Sequence, residues 1–175
     1  MIGPDAVAGC QWLEPGGLAA AQAICAFLQD IGIALRIETV NGEMFLPGID
    51  VHQGAVRIDP ARDAYPGDLL HEAGHLAVIE AERRAESSAF DADPAEEMTA
   101  IAWSVAAARA CGVPLEVLFH PAGYRGGSEA LIAVFDQPGM GPGVPLLSAW
   151  GMSAEPSRAA EWGREPFPAM TRWLR

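Results

Sequence analysis

The pentapeptide His71-Glu72-Ala73-Gly74-His75 decides how this chain is read. On a helix, residues i and i+4 share one face with Cβ atoms about 5 to 6 Å apart, so both imidazoles can reach a single Zn²⁺. Glu72 then falls beside the ion rather than on it. A carboxylate placed there can take a proton from water activated by the metal, whose pKa the ion lowers to about 7. The stretch points to metal-dependent hydrolysis, with His71 and His75 as ligands and Glu72 as general base.

Working outward, the flanking sequence must supply a scaffold. The pattern predicts a helix opening near Pro66-Gly67-Asp68, with Asp68 as its N-cap, and running to Arg84. Gly74 inside that helix costs about 1 kcal/mol relative to alanine, which is easiest to understand if another backbone approaches closely there. Residues 83–93 read as a polar loop. Asp93-Pro94 then opens a second helix by the N-cap and Pro-at-N1 rule, covering residues 94–111 and ending at Gly112 with Pro114 beyond.

Upstream, residues 17–31 carry alanine-rich helical periodicity that stops at Gly32. Residues 33–40 alternate in their second half and end at Asn41-Gly42, a strong hairpin signal, so residues 43–46 are expected to return as a strand. Residues 49–52 and 55–59 flank Gln53-Gly54 as a second hairpin. The coarse order is helix, small antiparallel or mixed sheet, metal helix, second helix, and an irregular C-terminal third: an α+β class.

This order, together with His71-Glu72-Ala73-Gly74-His75, resembles the minimal core of the zincin metallopeptidases. The resemblance implies a small zincin-like domain with Zn²⁺ as cofactor and a peptide or protein substrate paired along the sheet's edge strand. It also implies a third ligand on the helix after the motif. The metzincin pattern fails, because Val78 stands in place of its glycine and Ala81 in place of its third histidine. The gluzincin pattern asks instead for a glutamate, and Glu96 and Glu97 both lie in the first turn of the next helix. Residues 97–103, Glu-Met-Thr-Ala-Ile-Ala-Trp, are similar to the glutamate-bearing helix of ImmA/IrrE-type bacterial metallopeptidases, without that family's EANxFA wording. Glu97 is the chosen third ligand and Glu96 the alternative; both sit on apolar helix faces.

Length and composition frame these readings. With 175 residues, half of them hydrophobic, one domain spanning residues 1–175 is expected, its core about residues 17–112 and a loop-rich extension about 113–175. The net charge of -12 comes from 23 acids against 11 bases, all arginine, so nucleic acid is not an expected partner and basic or neutral substrates are favoured. The start Met1-Ile2-Gly3-Pro4-Asp5 has no basic n-region, and no apolar run approaches the roughly 20 residues a membrane span needs, so a cytoplasmic protein is expected. Cys10, Cys25 and Cys111 are widely spaced and odd in number, which argues against a disulfide framework or a thiolate zinc site.

In the last third, residues 119–128 form a loop rich in turn formers that can fold over the metal site. Tyr124 first, then His120 or Arg125, is a candidate donor to the oxyanion formed when water attacks a carbonyl. His120 is also the residue a closed, purely structural zinc site would recruit. His52, in the predicted sheet, reads as structural or solvated. Short helices are expected over residues 128–135 and 146–152, with a forced loop at residues 139–143. The tail, residues 155–175, carries +1 against -13 for the rest, and its aromatics and arginines are expected to pack back onto the acidic body.

Overall fold

Helices packed against a small sheet make the core, and the reasons for most elements are local. The computed structural model describes residues 4–44, 46–88 and 93–175. A 3-10 turn at Pro4–Gly9 leads into a two-residue strand, β1 (Gln11–Trp12), and then α1 (Gly17–Asp30). Helix α1 ends as its sequence requires: Gly32 takes φ 86°, while Gly32 N and Ile33 N donate to Gln29 O and Leu28 O, a Schellman closure. Its inner face, Ala21, Ile24, Cys25 and Leu28, is fully buried.

Four short strands follow: β2 (Ala34–Ile37), β3 (Ile49–His52), β4 (Ala55–Ile58) and β5 (Asp63–Ala64). Strands β3 and β4 form the expected hairpin across Gln53-Gly54, both at positive φ (47° and 72°), as a tight turn of the primed class needs. The hairpin expected at Asn41-Gly42 does not form. Strand β2 pairs instead in parallel with β4, giving a sheet ordered β2-β4-β3, while β1 and β5 pair in parallel as a second small sheet. The chain after β2 is held by side chains rather than by a returning strand. Asp59 Oδ2 accepts from Val40 N at 3.1 Å, and Arg62 Nη2 donates to Val40 O and Gly42 O at 3.1 and 2.6 Å. Glu43 and Met44 join no strand, Leu46 makes one bridge to Ile49, and Phe45 lies outside the described residues.

Helix α2 (Pro66–Val78) is buried along its whole length. It is shorter than expected, because Ile79 is extended (ψ 156°) and Ala81–Arg84 form a separate turn, α3. Arg84 is the reason the break is tolerated: its guanidinium folds back onto Leu76 O (2.8 Å) and Ile79 O (3.1 Å), satisfying carbonyls that continued helix would have used. Tyr65, not Asp68, is the N-cap residue, with Pro66 at N1. Of the expected loop over residues 83–93, residues 89–92 lie outside the described residues.

Helix α4 (Pro94–Ala110) begins as predicted, with Asp93 Oδ1 accepting from Ala95 N and Glu96 N at 2.8 and 2.9 Å. It ends in a second Schellman closure at Gly112, φ 71°. Helices α2 and α4 touch backbone to backbone: a Cβ on Gly74 would stand 2.7 Å from Ala100 O and 2.9 Å from Ser104 Oγ. Ser104 Oγ stitches the pair by lying 2.9 Å from Leu70 O. This close approach is what the helical glycine was expected to serve.

Four further helices close the fold: α5 (Leu115–Leu118), α6 (Ser128–Phe135), α7 (Val144–Ala149) and α8 (Pro156–Trp162). Helix α6 falls where the pattern placed it, and α7 begins two residues before the expected start. The tail packs back: Trp103 Nε1 donates to Trp173 O at 2.9 Å, and the Trp173 ring meets Phe27 edge-on at 4.8 Å. Arg175 N donates to Ala77 O at 2.9 Å, tying the tail to the last turn of α2. Among the described residues no helix is long and apolar enough to cross a membrane. The fold is α+β, with a three-stranded mixed sheet, a two-stranded parallel pair and eight α-helices among the described residues.

Candidate functional site

Burying α2 completely places Asp68, His71, Glu72 and His75 inside the protein, and polar groups there demand partners. One helical turn apart, His71 and His75 bring their Nε2 atoms to 3.2 Å, with the rings edge-to-face at 4.7 Å. Across the α2–α4 contact, Glu97 in the first turn of α4 extends its carboxylate to both: Oε1 lies 3.6 Å from His71 Nε2 and Oε2 3.2 Å from His75 Nε2. Glu96 points elsewhere and pairs with Arg83 at 3.4 Å. Of the two acids left open by the sequence, the structure therefore brings Glu97 to the histidines.

These three residues form the sole group among the described residues able to gather around one metal ion. Their donor set suits a cation of zinc's kind. The two imidazole nitrogens stand 3.2 Å apart, near the edge of about 3.3 Å that a tetrahedron has when metal–ligand bonds are about 2.0 to 2.1 Å, and the Glu97 carboxylate turns one oxygen toward each, at 3.6 and 3.2 Å. Burial, and then the neighbouring His75, push His71 down to about 4 against the opposing pull of Glu97 and Asp68, so its imidazole is in the neutral, ligating form at pH 7.

Glu72 lies beside this trio, 1 % exposed. Burial pushes its carboxyl well above the ordinary glutamate range, and Asp68, Asp50 and Glu97 push the same way. Asp50 is itself held by Arg57 through two bonds of 2.8 and 2.6 Å, so no base is left over for Glu72 on that side. A buried acid crowded by acids is the environment that a bound cation reverses, because positive charge restores the carboxylate.

The loop after α5 covers the same site. Tyr124 stands with its ring 5.6 Å from that of His71, edge to face, and 4.9 Å from that of Phe119. Burial pushes its phenol well up, as do the nearby Asp68, Glu97 and Glu72, so the hydroxyl keeps its proton and remains a donor. His120 takes a different position from the one its candidacy required: its Nε2–H donates to Asp68 Oδ1 at 2.9 Å, and its ring stacks on Tyr65 at 3.8 Å. Arg125 is exposed, and His52 lies half-buried at the end of β3, outside the metal-competent trio.

Among the described residues, six buried side-chain atoms lack a hydrogen-bond partner, and five of them surround this site: Asp68 Oδ2, His71 Nδ1, Glu72 Oε2, His120 Nδ1 and Tyr124 Oη. Such groups are uncommon in folded interiors, and their concentration marks a place built to meet polar ligands. Asp68 is the member that sequence reasoning missed as a site residue. The available signal was its spacing, three residues before His71 and four before Glu72, which sets it on the same face of α2. Searched against protein-family models, curated proteins and solved structures, the chain matches none of them.

Proposed function

We propose that the protein is a zinc-dependent metallopeptidase of the zincin-like, gluzincin type, acting on peptide bonds of a peptide or protein substrate. The observation that carries this reading is the convergence of His71 Nε2, His75 Nε2 and the Glu97 carboxylate within 3.2 to 3.6 Å, with Glu72 buried beside it. A divalent metal held there would supply Lewis acidity, polarising a carbonyl and lowering the pKa of water to about 7. The chain's own residues do the rest. Glu72, ionised once positive charge is near, accepts a proton from the attacking water and passes it to the leaving amine. Tyr124 Oη donates a hydrogen bond to the carbonyl oxygen as negative charge develops on it. Strand β3, at the edge of its sheet and packed on α2, offers main-chain groups along which an extended substrate can lie.

A closed structural zinc site is disfavoured, since four protein ligands would be needed and His120 is committed to Asp68. The test pairs metal analysis with Glu72→Gln. The variant is expected to bind zinc as wild type does and to lose about 10²- to 10⁴-fold in hydrolysis of whatever peptide the wild type cleaves. Undiminished hydrolysis by the variant, or wild-type protein that takes up no zinc, would defeat the reading.

A further inference from the structure

Asp68 takes no part in the reaction just described, yet it is buried among the groups that do, one helical turn before His71. We infer that Asp68 and His120 are a positioning pair that fixes the Tyr124 hydroxyl over the metal centre; the inference rests on the function proposed above and assigns that centre two further residues. The loop that carries Tyr124 is held in a demanding conformation. Tyr124 and Arg125 are successive non-glycine residues at φ 52° and 51°, a left-handed backbone that persists only where the surroundings over-determine it.

His120 is the knot that does so. Its carbonyl accepts from Gly123 N at 3.0 Å and from Ser128 Oγ at 2.9 Å, joining both halves of the loop. Its ring is clamped between the Tyr65 ring and Gly123, where a Cβ would stand 3.1 Å from the imidazole Cε1 and Nε2. The hydrogen bond from Nε2 to Asp68 Oδ1, between residues 3 % and 4 % exposed, then fastens the knot to α2. One helix thus fixes the metal-competent histidines and, through Asp68, the register of Tyr124 against them. A loop tethered only at its ends would leave the phenol free to swing, and a donor misplaced by about 1 Å loses much of its effect.

The chain has two tyrosines, Tyr65 and Tyr124, so protein labelled with fluorotyrosine gives two fluorine resonances, assigned with Tyr65→Phe. In wild type, adding Zn²⁺ is expected to move the Tyr124 resonance, because its ring lies 5.6 Å from that of His71. Asp68→Asn and His120→Phe are each expected to remain folded by circular dichroism and to bind zinc. Their Tyr124 resonance should move toward that of the free amino acid and lose most of its response to Zn²⁺. Two folded variants with the wild-type Tyr124 resonance and zinc response would overturn the inference, and unfolding of both would overturn it in favour of a purely structural role. If wild type bound no zinc, the proposed function would fail, while the Tyr124 resonance of the metal-free variants would still decide the pair.

Discussion

The two walls of the site are made by opposite means. His71, His75 and Glu97 stand on two buried or half-buried helix faces whose backbones touch at Gly74 and Ala100. Tyr124 stands on a loop in left-handed backbone, kept in place by side-chain bonds. Regular helices place donor atoms with little freedom, whereas a loop must be anchored one contact at a time. The lesson is a division of labour. Metal affinity should follow the two helices, and the loop should act on rate without acting on affinity.

The sharpest way to break that division is His75→Ala, which is expected to abolish zinc uptake in metal analysis without touching the loop. Next in size, Glu97→Gln should weaken zinc in a chelator competition by more than the roughly 10- to 100-fold that an outer partner contributes. Tyr124→Phe should leave zinc affinity alone and slow hydrolysis by about 10²-fold, the usual effect of removing one donor to a developing oxyanion. Its thermal stability should stay level or rise, because the variant removes a buried hydroxyl with no partner.

Acid titration of the metal-free protein probes the helix wall by itself. With His71 pushed from 6.5 down to about 4, chiefly by burial, the unfolded chain binds more protons than the folded one between those values. Stability should therefore fall as pH falls from about 6.5 to about 4, by up to about 1.4 kcal/mol per pH unit in denaturant titrations, and saturating zinc should not remove the slope, because metal-bound imidazole takes up no proton while the unfolded chain still does. The smallest effect belongs to Glu96→Gln, whose side chain faces Arg83; its zinc affinity should match wild type. If Glu96→Gln lost zinc and Glu97→Gln did not, the helix wall would be wrongly assigned.

Legibility in the sequence tracked how local each determinant is. Helices α1 and α4 were readable because their boundaries are written in neighbouring residues: Gly32 for the first, Asp93-Pro94 and Gly112 for the second. The Gln53-Gly54 hairpin was equally local. Asn41-Gly42 misled because its turn chemistry is real, while the partner that β2 takes is strand β4, about twenty residues on, in a parallel pairing with no local signature. The end of α2 was hidden for a similar reason, since Arg84 replaces a glycine stop by reaching back along the chain.

Within the site, the spacing of His71 and His75 announced itself, but the choice between Glu96 and Glu97 did not. Both faces of α4 are apolar there, and the choice depends on the phase at which α4 crosses α2, fixed by the contact at Gly74. Asp68 was legible as an acid in a helix's first turn, and that position suggested a cap. Its partner, His120, lies 52 residues away, beyond any periodicity.

Gly74 has a consequence for ion selection. With one backbone already against the other, α2 and α4 cannot close further, and the Ser104 bond to Leu70 O opposes their opening. The span between the histidine nitrogens and Glu97 is then a gauge set before any ion arrives. Two imidazoles and one carboxylate 3.2 to 3.6 Å apart suit small, borderline-soft ions with bonds of about 2.0 to 2.1 Å. Calcium, which takes six to eight oxygens at about 2.3 to 2.6 Å, finds neither its ligands nor its distances there. In the proposed zinc site, discrimination among metals would thus be exercised by a contact between two backbones that touches no ion at all.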